Sequence, residues 1–193
     1  MSDTLPMLQS LRLKGRANAE MLASAFGLSP DETAQHLASL AREGLVEEKQ
    51  GFYGLSASGE AQRQTALAAE RAALDGGALV SLYDAFCAIN GDFKQLVTDV
   101  QLGSLDKSLA PERLAALHER FAPVASRIGA AVPRLAPYAA RFESALSALA
   151  GGDSRYLASP MVDSYHTLWF ELHEELIQAL GRSRADETAA GRA

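Results

Sequence analysis

Residues 27–46 read GLSPDETAQHLASLAREGLV, and this stretch decides the fold of the first third of the chain. Gly27 is suited to the left-handed conformation that ends a helix, and Ser29 followed by Pro30 is typical of a helix start. A helix is therefore predicted from Pro30 to Glu43. Its inward-facing positions combine helical spacing with small or apolar side chains: Ala34, Leu37, Leu40 and Ala41.

Two helices are predicted before this stretch. Thr4 or Asp3 is placed to cap a first helix that runs to about Leu13. Asn18 is placed to cap a second helix over residues 19–26. The tight turn after this second helix leads directly into the helix that begins at Pro30, which gives the order helix, turn, helix.

A small hairpin is predicted after the third helix, because segments 45–47 and 52–55 are short and extended and flank the turn 48–51. A fourth helix is predicted to open at Ser56 and to continue to Asp75. Gly76 and Gly77 follow and break it. The whole chain is predicted to be mainly α, with an α-helical bundle after this N-terminal part.

The first third resembles winged helix-turn-helix transcriptional regulators of the MarR and PadR type. The resemblance rests on Gly27-Leu28-Ser29, on Leu37, Leu40 and Glu43-Gly44-Leu45-Val46, and on Leu55-Ser56-x-x-Gly59 after a glycine-containing turn. It implies that the third helix enters the major groove of DNA and that the hairpin, as a wing, touches the backbone or minor groove. The chain departs from the family in a weakly basic third helix and in a wing whose one cation is Lys49.

The third helix leaves a polar set of side chains outside its apolar stripe, and these are the candidates for DNA contact. Thr33, Gln35 and Ser39 are predicted to read base edges, and Arg42 and His36 to meet phosphate or guanine. Lys14, Arg16 and Lys49 are the candidate phosphate contacts on either side of the helix. The alternative interpretation of the same side chains is an ordinary solvated surface.

The charge balance favours an alternative partner for this domain. The chain carries a net charge of −6, and residues 1–62 hold five basic against eight acidic side chains, a balance of −3. DNA affinity depends mainly on neutralising phosphates with Lys and Arg. A winged-helix module that binds another protein is therefore the second hypothesis for this domain.

The chain is expected to divide into a winged-helix domain with a linker helix over residues 1–75, a helical domain over 76–182, and a flexible tail over 183–193. Four helices are predicted in the second part, at about 78–101, 111–130, 134–150 and 160–181. Short connections between them are typical of a bundle. The tail is expected to be flexible because it is polar and rich in small residues.

Two of these helices carry the candidate effector site. Seven-residue spacing marks an apolar seam along 78–101, bordered by Tyr83, Asn90 and Lys94. The helix over 160–181 holds Tyr165, His166, Trp169 and His173, which are predicted to form the polar and aromatic wall of a pocket. Asn90, Lys94 and Arg155 are the candidate anchors for an anionic group. The alternative is that all these side chains belong to the core or to a dimer interface.

The sequence offers little support for metal binding, catalysis or membrane contact. His166 and His173 lie about 10.5 Å apart along a helix axis, which is too far for one metal, so no metal is predicted. No catalytic motif is present, so the chain is expected not to be an enzyme and to need no cofactor. No long apolar run or signal peptide is present, and the single Cys87 cannot form an internal disulfide, which favours a cytoplasmic protein without membrane contact.

The sequence thus predicts a homodimeric regulator that binds double-stranded DNA and responds to a small-molecule effector. The protein-interaction module remains the alternative, and a ligand carrier or enzyme built on the helical bundle is a third.

Overall fold

The structure of the chain is a computed structural model that describes residues 4–192. These residues are mainly helical, with one two-stranded antiparallel sheet among them. The chain divides into two units, Met1–Ala73 and Leu74–Ala193. Asp3, the alternative cap of the first helix, and Ala193, the end of the expected tail, lie outside the described residues.

The N-terminal unit has the predicted order of elements. Its helices and strands are α1 (Thr4–Lys14), α2 (Ala19–Phe26), α3 (Pro30–Arg42), β1 (Val46–Lys49), β2 (Phe52–Leu55) and α4 (Ala57–Ala73). In the hairpin Val46 pairs with Leu55 and Lys49 with Phe52. Apolar side chains from the first three helices and β1 form one buried core, which fixes the direction in which α3 faces.

The start of α3 is set by local hydrogen bonds, as the sequence predicted. Gly27 ends α2 in the left-handed conformation, with φ 63°. The amide of Glu32 donates to Ser29 Oγ (3.2 Å), and the Ser29 amide donates to Glu32 Oε2 (2.9 Å). This reciprocal pair satisfies amides that the first turn leaves open. Helix α3 therefore begins at the proline that follows the serine.

The segment after the hairpin is pinned against the end of α3. The hydroxyls of Ser56 and Ser58 both donate to the carbonyl oxygen of Gly44, at 2.6 and 2.8 Å. The Ser56 amide donates to the carbonyl oxygen of Leu45 (3.1 Å). Gly59 then packs so closely that a Cβ there would overlap this same Leu45 carbonyl. The start of α4 is thus held in place by backbone contacts.

The second unit is entirely helical over the residues described. It contains α5 (Gly76–Leu102), α6 (Ala110–Ala131), α7 (Pro137–Ala150), α8 (Arg155–Ala158), α9 (Tyr165–Ala179) and α10 (Arg184–Ala189), with single 3₁₀ turns at Lys107–Leu109 and Pro133–Leu135. The predicted seam of α5 is confirmed, because Leu79, Leu82, Phe86, Ile89, Phe93, Leu96 and Val100 are all buried. Phe86 and Phe93 stack on Trp169 of α9, with ring centroids 4.7 and 4.5 Å apart.

The predicted start of the last long helix at residue 160 is wrong. Helix α9 begins at Tyr165, and its cap is Ser164, whose side chain accepts a hydrogen bond from the Thr167 amide. The preceding turn is held from another helix, since Arg141 Nη2 donates to Asp163 Oδ2 (2.9 Å). This contact comes from a distant part of the chain and leaves no local mark in the sequence.

The flexible tail expected over 183–193 is contradicted over residues 184–189, which form α10. Glu187 of this helix is 1% exposed and is held by hydrogen bonds from Tyr83 Oη (2.8 Å) and Arg192 Nε (2.6 Å). A buried carboxylate with cationic and hydroxyl donors orders a segment whose composition alone looked unstructured.

Among the described residues no single helix is both long and apolar enough to cross a membrane. Helices α4 and α5 would reach that length and composition only when taken together, and α5 buries its apolar seam inside the bundle.

Candidate functional site

Helix α3 turns a polar surface to solvent. Its apolar stripe, Leu37 and Leu40, is buried, at 0% and 6% exposure. The polar side chains that stand outside it and are exposed form the α3 face: Asp31, Glu32, Gln35, Arg42 and Glu43. His36 and Ser39 are half-buried at its margin, and the Ser39 hydroxyl donates to Glu43 Oε1 (3.2 Å). Gln35 and Arg42 are therefore the candidate contact residues that α3 presents most openly.

Thr33 does not belong to this surface, and its assignment as a base-reading residue is wrong. The side chain is 0% exposed, and its hydroxyl donates to the carbonyl oxygen of Ser29 (2.9 Å). The cause is helix geometry: Leu37 and Leu40 follow Thr33 by four and seven residues, so all three share the buried face.

The candidate phosphate contacts of the N-terminal unit differ in exposure. Lys49 is exposed at the end of β1, and Arg16 is exposed while its Nη2 donates to the carbonyl oxygen of Phe52 at the start of β2 (3.2 Å). Lys14 is half-buried. Arg16 thus ties the hairpin to the segment after α1 and still presents part of its guanidinium to solvent.

The helical unit contains a pocket of about 110 Å³, called the basic pocket below. Its lining residues come from three helices and are Asn90, Phe93, Lys94, His166, Trp169, Phe170, His173 and Arg184. Five of the eight residues predicted for an effector site meet here: Asn90, Lys94, His166, Trp169 and His173. The lining has two cationic side chains and no carboxylate.

The floor of the basic pocket is fixed by a hydrogen-bond chain. Trp169 Nε1 donates to Asn90 Oδ1 (2.9 Å), and Asn90 Nδ2 donates to the backbone oxygen of Arg192 (3.3 Å). Asn90 therefore uses both ends of its amide for structure, and the indole ring is held in one orientation. The buried Asn90 amide is thus hydrogen-bonded, as buried polar groups generally are.

A second chain sets the state of His173. Tyr83 Oη donates to Glu187 Oε2 (2.8 Å), so the His173 Nε2 that lies 3.1 Å from the same oxygen supplies the donor to Tyr83. Burial, with the nearby Arg184, lowers the pKa of His173 to about 4. The hydrogen bond from Arg192 and that from Tyr83 lower the pKa of Glu187 to about 2. At neutral pH the histidine is uncharged and the carboxylate is ionised.

This arrangement predicts an acid-sensitive helical unit. The unfolded chain binds a proton at His173 near pH 6.5 and the folded one only near pH 4, so folding stability contributed by the neutral ring is complete above pH 6.5 and is lost as pH falls toward 4. The loss amounts to about 3 kcal/mol. Urea unfolding followed by Trp169 fluorescence, at pH 7 and pH 4, measures it.

The matched variant is His173→Gln, which keeps polar atoms but does not titrate. The difference in unfolding free energy between the native chain and this variant is expected to shrink as the pH is lowered from 7 to 4. A difference that stays constant over this range would contradict the assignment of the transition to His173.

Three residues predicted for the effector site lie elsewhere. Tyr83 lies behind His173 and does not line the basic pocket. Tyr165 is buried in the core, its hydroxyl 3.0 Å from His118 Nδ1. Arg155 is exposed and binds Asp153 through Nη2 (2.7 Å). Tyr165 precedes Leu172 by seven residues and so faces the core with it, while Arg155 sits on a separate short helix.

Sequence reasoning missed three lining residues, namely Phe93, Phe170 and Arg184. Arg184 Nη1 donates to Glu174 Oε2 (3.2 Å), and its guanidinium lies 4.4 Å from the centroid of the Phe170 ring. The sequence did contain a local signal for α10, the helix that carries Arg184. Ser183 caps this helix, and the amide of Asp186, three residues later, donates to Ser183 Oγ (3.1 Å).

Among residues 4–192 no group of three histidine, cysteine or acidic side chains is close enough to hold a metal ion. The charged side chains that line the basic pocket together with His166 and His173 are Lys94 and Arg184. Cationic neighbours disfavour a metal cation and favour an anion.

Comparison of the chain with protein-family models, with curated proteins and with solved structures finds no match.

Proposed function

We propose that the chain is a dimeric transcriptional regulator, with a winged helix-turn-helix DNA-binding domain at its N-terminus and an effector-binding helical domain after it. The observation that carries the proposal is the α3 face. A helix that follows a helix and a tight turn, and that keeps Gln35 and Arg42 exposed beside a short hairpin, has what major-groove reading requires.

The roles follow from the chemistry of the exposed side chains. Gln35 carries the amide that pairs with adenine, and Arg42 the guanidinium that pairs with guanine or phosphate. Lys49 in the hairpin and Arg16, which is hydrogen-bonded to the hairpin, supply further contacts to the phosphate backbone of DNA. Asp31 and Glu32 stand in the first turn of α3, where they complement the helix dipole and where they would also repel a phosphate placed there.

Dimerisation is part of the proposal because one chain has few cations to offer. Arg16, Arg42 and Lys49 amount to about three phosphate contacts per chain, and two chains to about six. A dimer also has two α3 helices, one for each of the two DNA half-sites that such proteins bind. An effector changes DNA affinity only through different affinities for the two conformations of the dimer.

DNA binding is tested by salt dependence. A labelled 30-base-pair duplex of random sequence is titrated with the protein at 50 and 200 mM salt and followed by fluorescence anisotropy. With about six phosphate contacts, affinity is expected to fall roughly a thousandfold between the two conditions, because binding releases condensed counterions. Absence of binding at 50 mM salt would remove the regulator from consideration.

Single variants assign the DNA-binding roles. Arg42→Ala and Lys49→Ala are each expected to weaken binding to all sequences and to reduce the salt slope by about two, because each substitution removes one phosphate-contacting cation from both chains of the dimer. The matched control is Arg71→Ala, an exposed arginine of α4, which should leave both unchanged. Gln35→Ala is expected to relax the base preference found by enrichment from a random duplex pool while leaving the salt slope unaltered.

A second candidate function is a module that binds another protein. The observation in its favour is charge: Glu47 and Glu48 are exposed on β1, and the α3 face of the same unit carries three further acidic residues. The exposed Phe52, at 42%, adds an apolar contact at the hairpin. This function predicts no binding to the duplex at 50 mM salt, so the same titration separates the two.

A further inference from the structure

We infer that the basic pocket binds a small organic carboxylate, with its anionic group between Lys94 and Arg184 and its apolar body against Phe170 and the small exposed parts of Trp169 and Phe93. The inference specifies the effector site of the regulator proposed above and rests on that proposal for its regulatory meaning. The binding itself depends only on residues of the helical unit.

The charge of the lining selects an anion. In a chain whose net charge is −6, the basic pocket gathers Lys94 and Arg184 and excludes every acidic side chain from its wall. His173 is neutral and adds no charge of its own, since burial keeps its pKa well below 7. Arg184 gives one Nη1 hydrogen bond to Glu174 (3.2 Å), and a guanidinium has further N–H donors to offer.

The walls select an apolar body attached to that anion. Phe93 and Trp169 are stacked with ring centroids 4.5 Å apart, and the Phe170 ring, 45% exposed, stands at the edge under the Arg184 guanidinium. Inorganic phosphate or sulfate would satisfy the cations and leave the Phe170 ring in contact with water. A carboxylate with a hydrocarbon body uses both.

The volume limits the size of the ligand. About 110 Å³ corresponds to roughly four water molecules at about 30 Å³ each. Pockets for drug-sized ligands are about 300 Å³ or more. The part of the ligand that the pocket encloses is therefore no larger than a carboxylate with a short aliphatic chain or a single ring.

The C-terminal helix makes the pocket complete. Arg184 reaches it from α10, and α10 is attached through Glu187 to Tyr83 and Arg192. Arg192 also accepts, through its backbone oxygen, the hydrogen bond from Asn90 in the pocket floor (3.3 Å). A ligand that bridges Lys94 and Arg184 thus joins α5 to α10, and its binding is expected to slow amide hydrogen exchange in residues 184–192.

The test uses the fluorescence of Trp169, which is the one tryptophan of the chain and lies in the pocket wall. The full-length protein is titrated with monocarboxylates from propionate to benzoate, with the amide of each as a neutral control, and with inorganic phosphate. The expected result is a saturable change with at least one carboxylate and none with its amide. No saturation by any carboxylate below 10 mM, on the order of the weakest specific binding, would overturn the inference, as would phosphate binding more tightly than all of them.

Variants of the two cations provide the second arm. Lys94→Gln and Arg184→Gln are each expected to weaken carboxylate binding about tenfold to a hundredfold, the effect of one charge-assisted hydrogen bond. Arg127→Gln, an exposed arginine on α6 outside the lining, is the matched control and should bind as the native chain does. Unchanged affinity in both pocket variants would overturn the assignment.

The two proposals fail separately. Salt-dependent DNA binding without any carboxylate binding removes this site and leaves the regulator. Carboxylate binding by a chain that does not bind DNA supports the site and removes the regulator, leaving a ligand carrier.

Discussion

Replacing Gly59 by alanine is expected to lower the free energy of unfolding of the N-terminal unit by about 3 kcal/mol, at the upper end of overpacking costs. A Cβ at this position would overlap the carbonyl oxygen of Leu45. That carbonyl cannot retreat, because it accepts from the Ser56 amide (3.1 Å) while the Leu45 amide donates to Leu40 (2.9 Å). The loss is a large share of the 5–15 kcal/mol that stabilises a typical domain.

The measurement follows chemical unfolding by far-ultraviolet circular dichroism, which reports on all helices, and by Trp169 fluorescence, which reports on the helical unit. We expect Gly59→Ala to move the dichroism transition to lower denaturant without moving the fluorescence transition. DNA binding should be lost over the same denaturant range, since α3 and the hairpin depend on the displaced segment.

The control for this change has the opposite sign. Gly91 lies within α5, and a Cβ there would meet no other atom within 4 Å. Because alanine is the better helix former by about 1 kcal/mol, Gly91→Ala is expected to stabilise the helical unit by up to that amount. If the two substitutions had the same effect, the contact between Gly59 and Leu45 would not be the cause.

Glu175→Ala is expected to destabilise the helical unit by about 3–5 kcal/mol, the usual cost of removing one partner of a buried ion pair. Arg134 Nη1 lies 2.7 Å from Glu175 Oε2, and the two side chains are only 7% and 4% exposed. Without the carboxylate, the guanidinium would remain buried and would have lost this ion pair. Urea unfolding followed by Trp169 fluorescence measures the change.

An exposed pair of nearly the same length provides the comparison. Arg120 Nη1 lies 2.8 Å from Asp92 Oδ2, but these side chains are 57% and 58% exposed. Asp92→Ala is expected to cost less than about 1 kcal/mol, because solvent already screens the attraction. Replacing Arg134 and Glu175 together by Met and Leu should recover much of the loss. Equal costs for Glu175→Ala and Asp92→Ala would show that burial does not control these pairs.

The starts of α2 and α3 could be predicted because the forces that set them are local. Asn18 accepts from the Met21 amide (2.9 Å), and Ser29 exchanges hydrogen bonds with Glu32 three residues later. Every donor and acceptor lies within one helical turn, so both partners of each hydrogen bond can be predicted from a short stretch of sequence. The apolar seam of α5 was predictable for a related reason, since its period alone decides which side is buried.

The errors fall where the partner is far along the chain. The turn before α9 is held by Arg141 on Asp163, 22 residues away. Helix α10 has a local cap at Ser183, but its Glu187 is also held by Tyr83, 104 residues away. Thr33 was an error of another kind, because its spacing to Leu37 and Leu40 already placed it on the buried side. A polar side chain at such a position is satisfied by its own helix, here through Ser29.

What the sequence by itself determined is the set of elements: where most helices begin, which sides of α3 and α5 are apolar, and which polar residues remain to carry a function. What only the tertiary structure decided is which of those residues meet. Asn90, Lys94, His166, Trp169 and His173 converge on one pocket, Tyr165 and Arg155 do not, and Arg184 joins from a segment expected to be flexible. The physical reason is range: caps and periodicity act within a few residues, whereas a binding site is assembled by packing between helices that are distant in sequence.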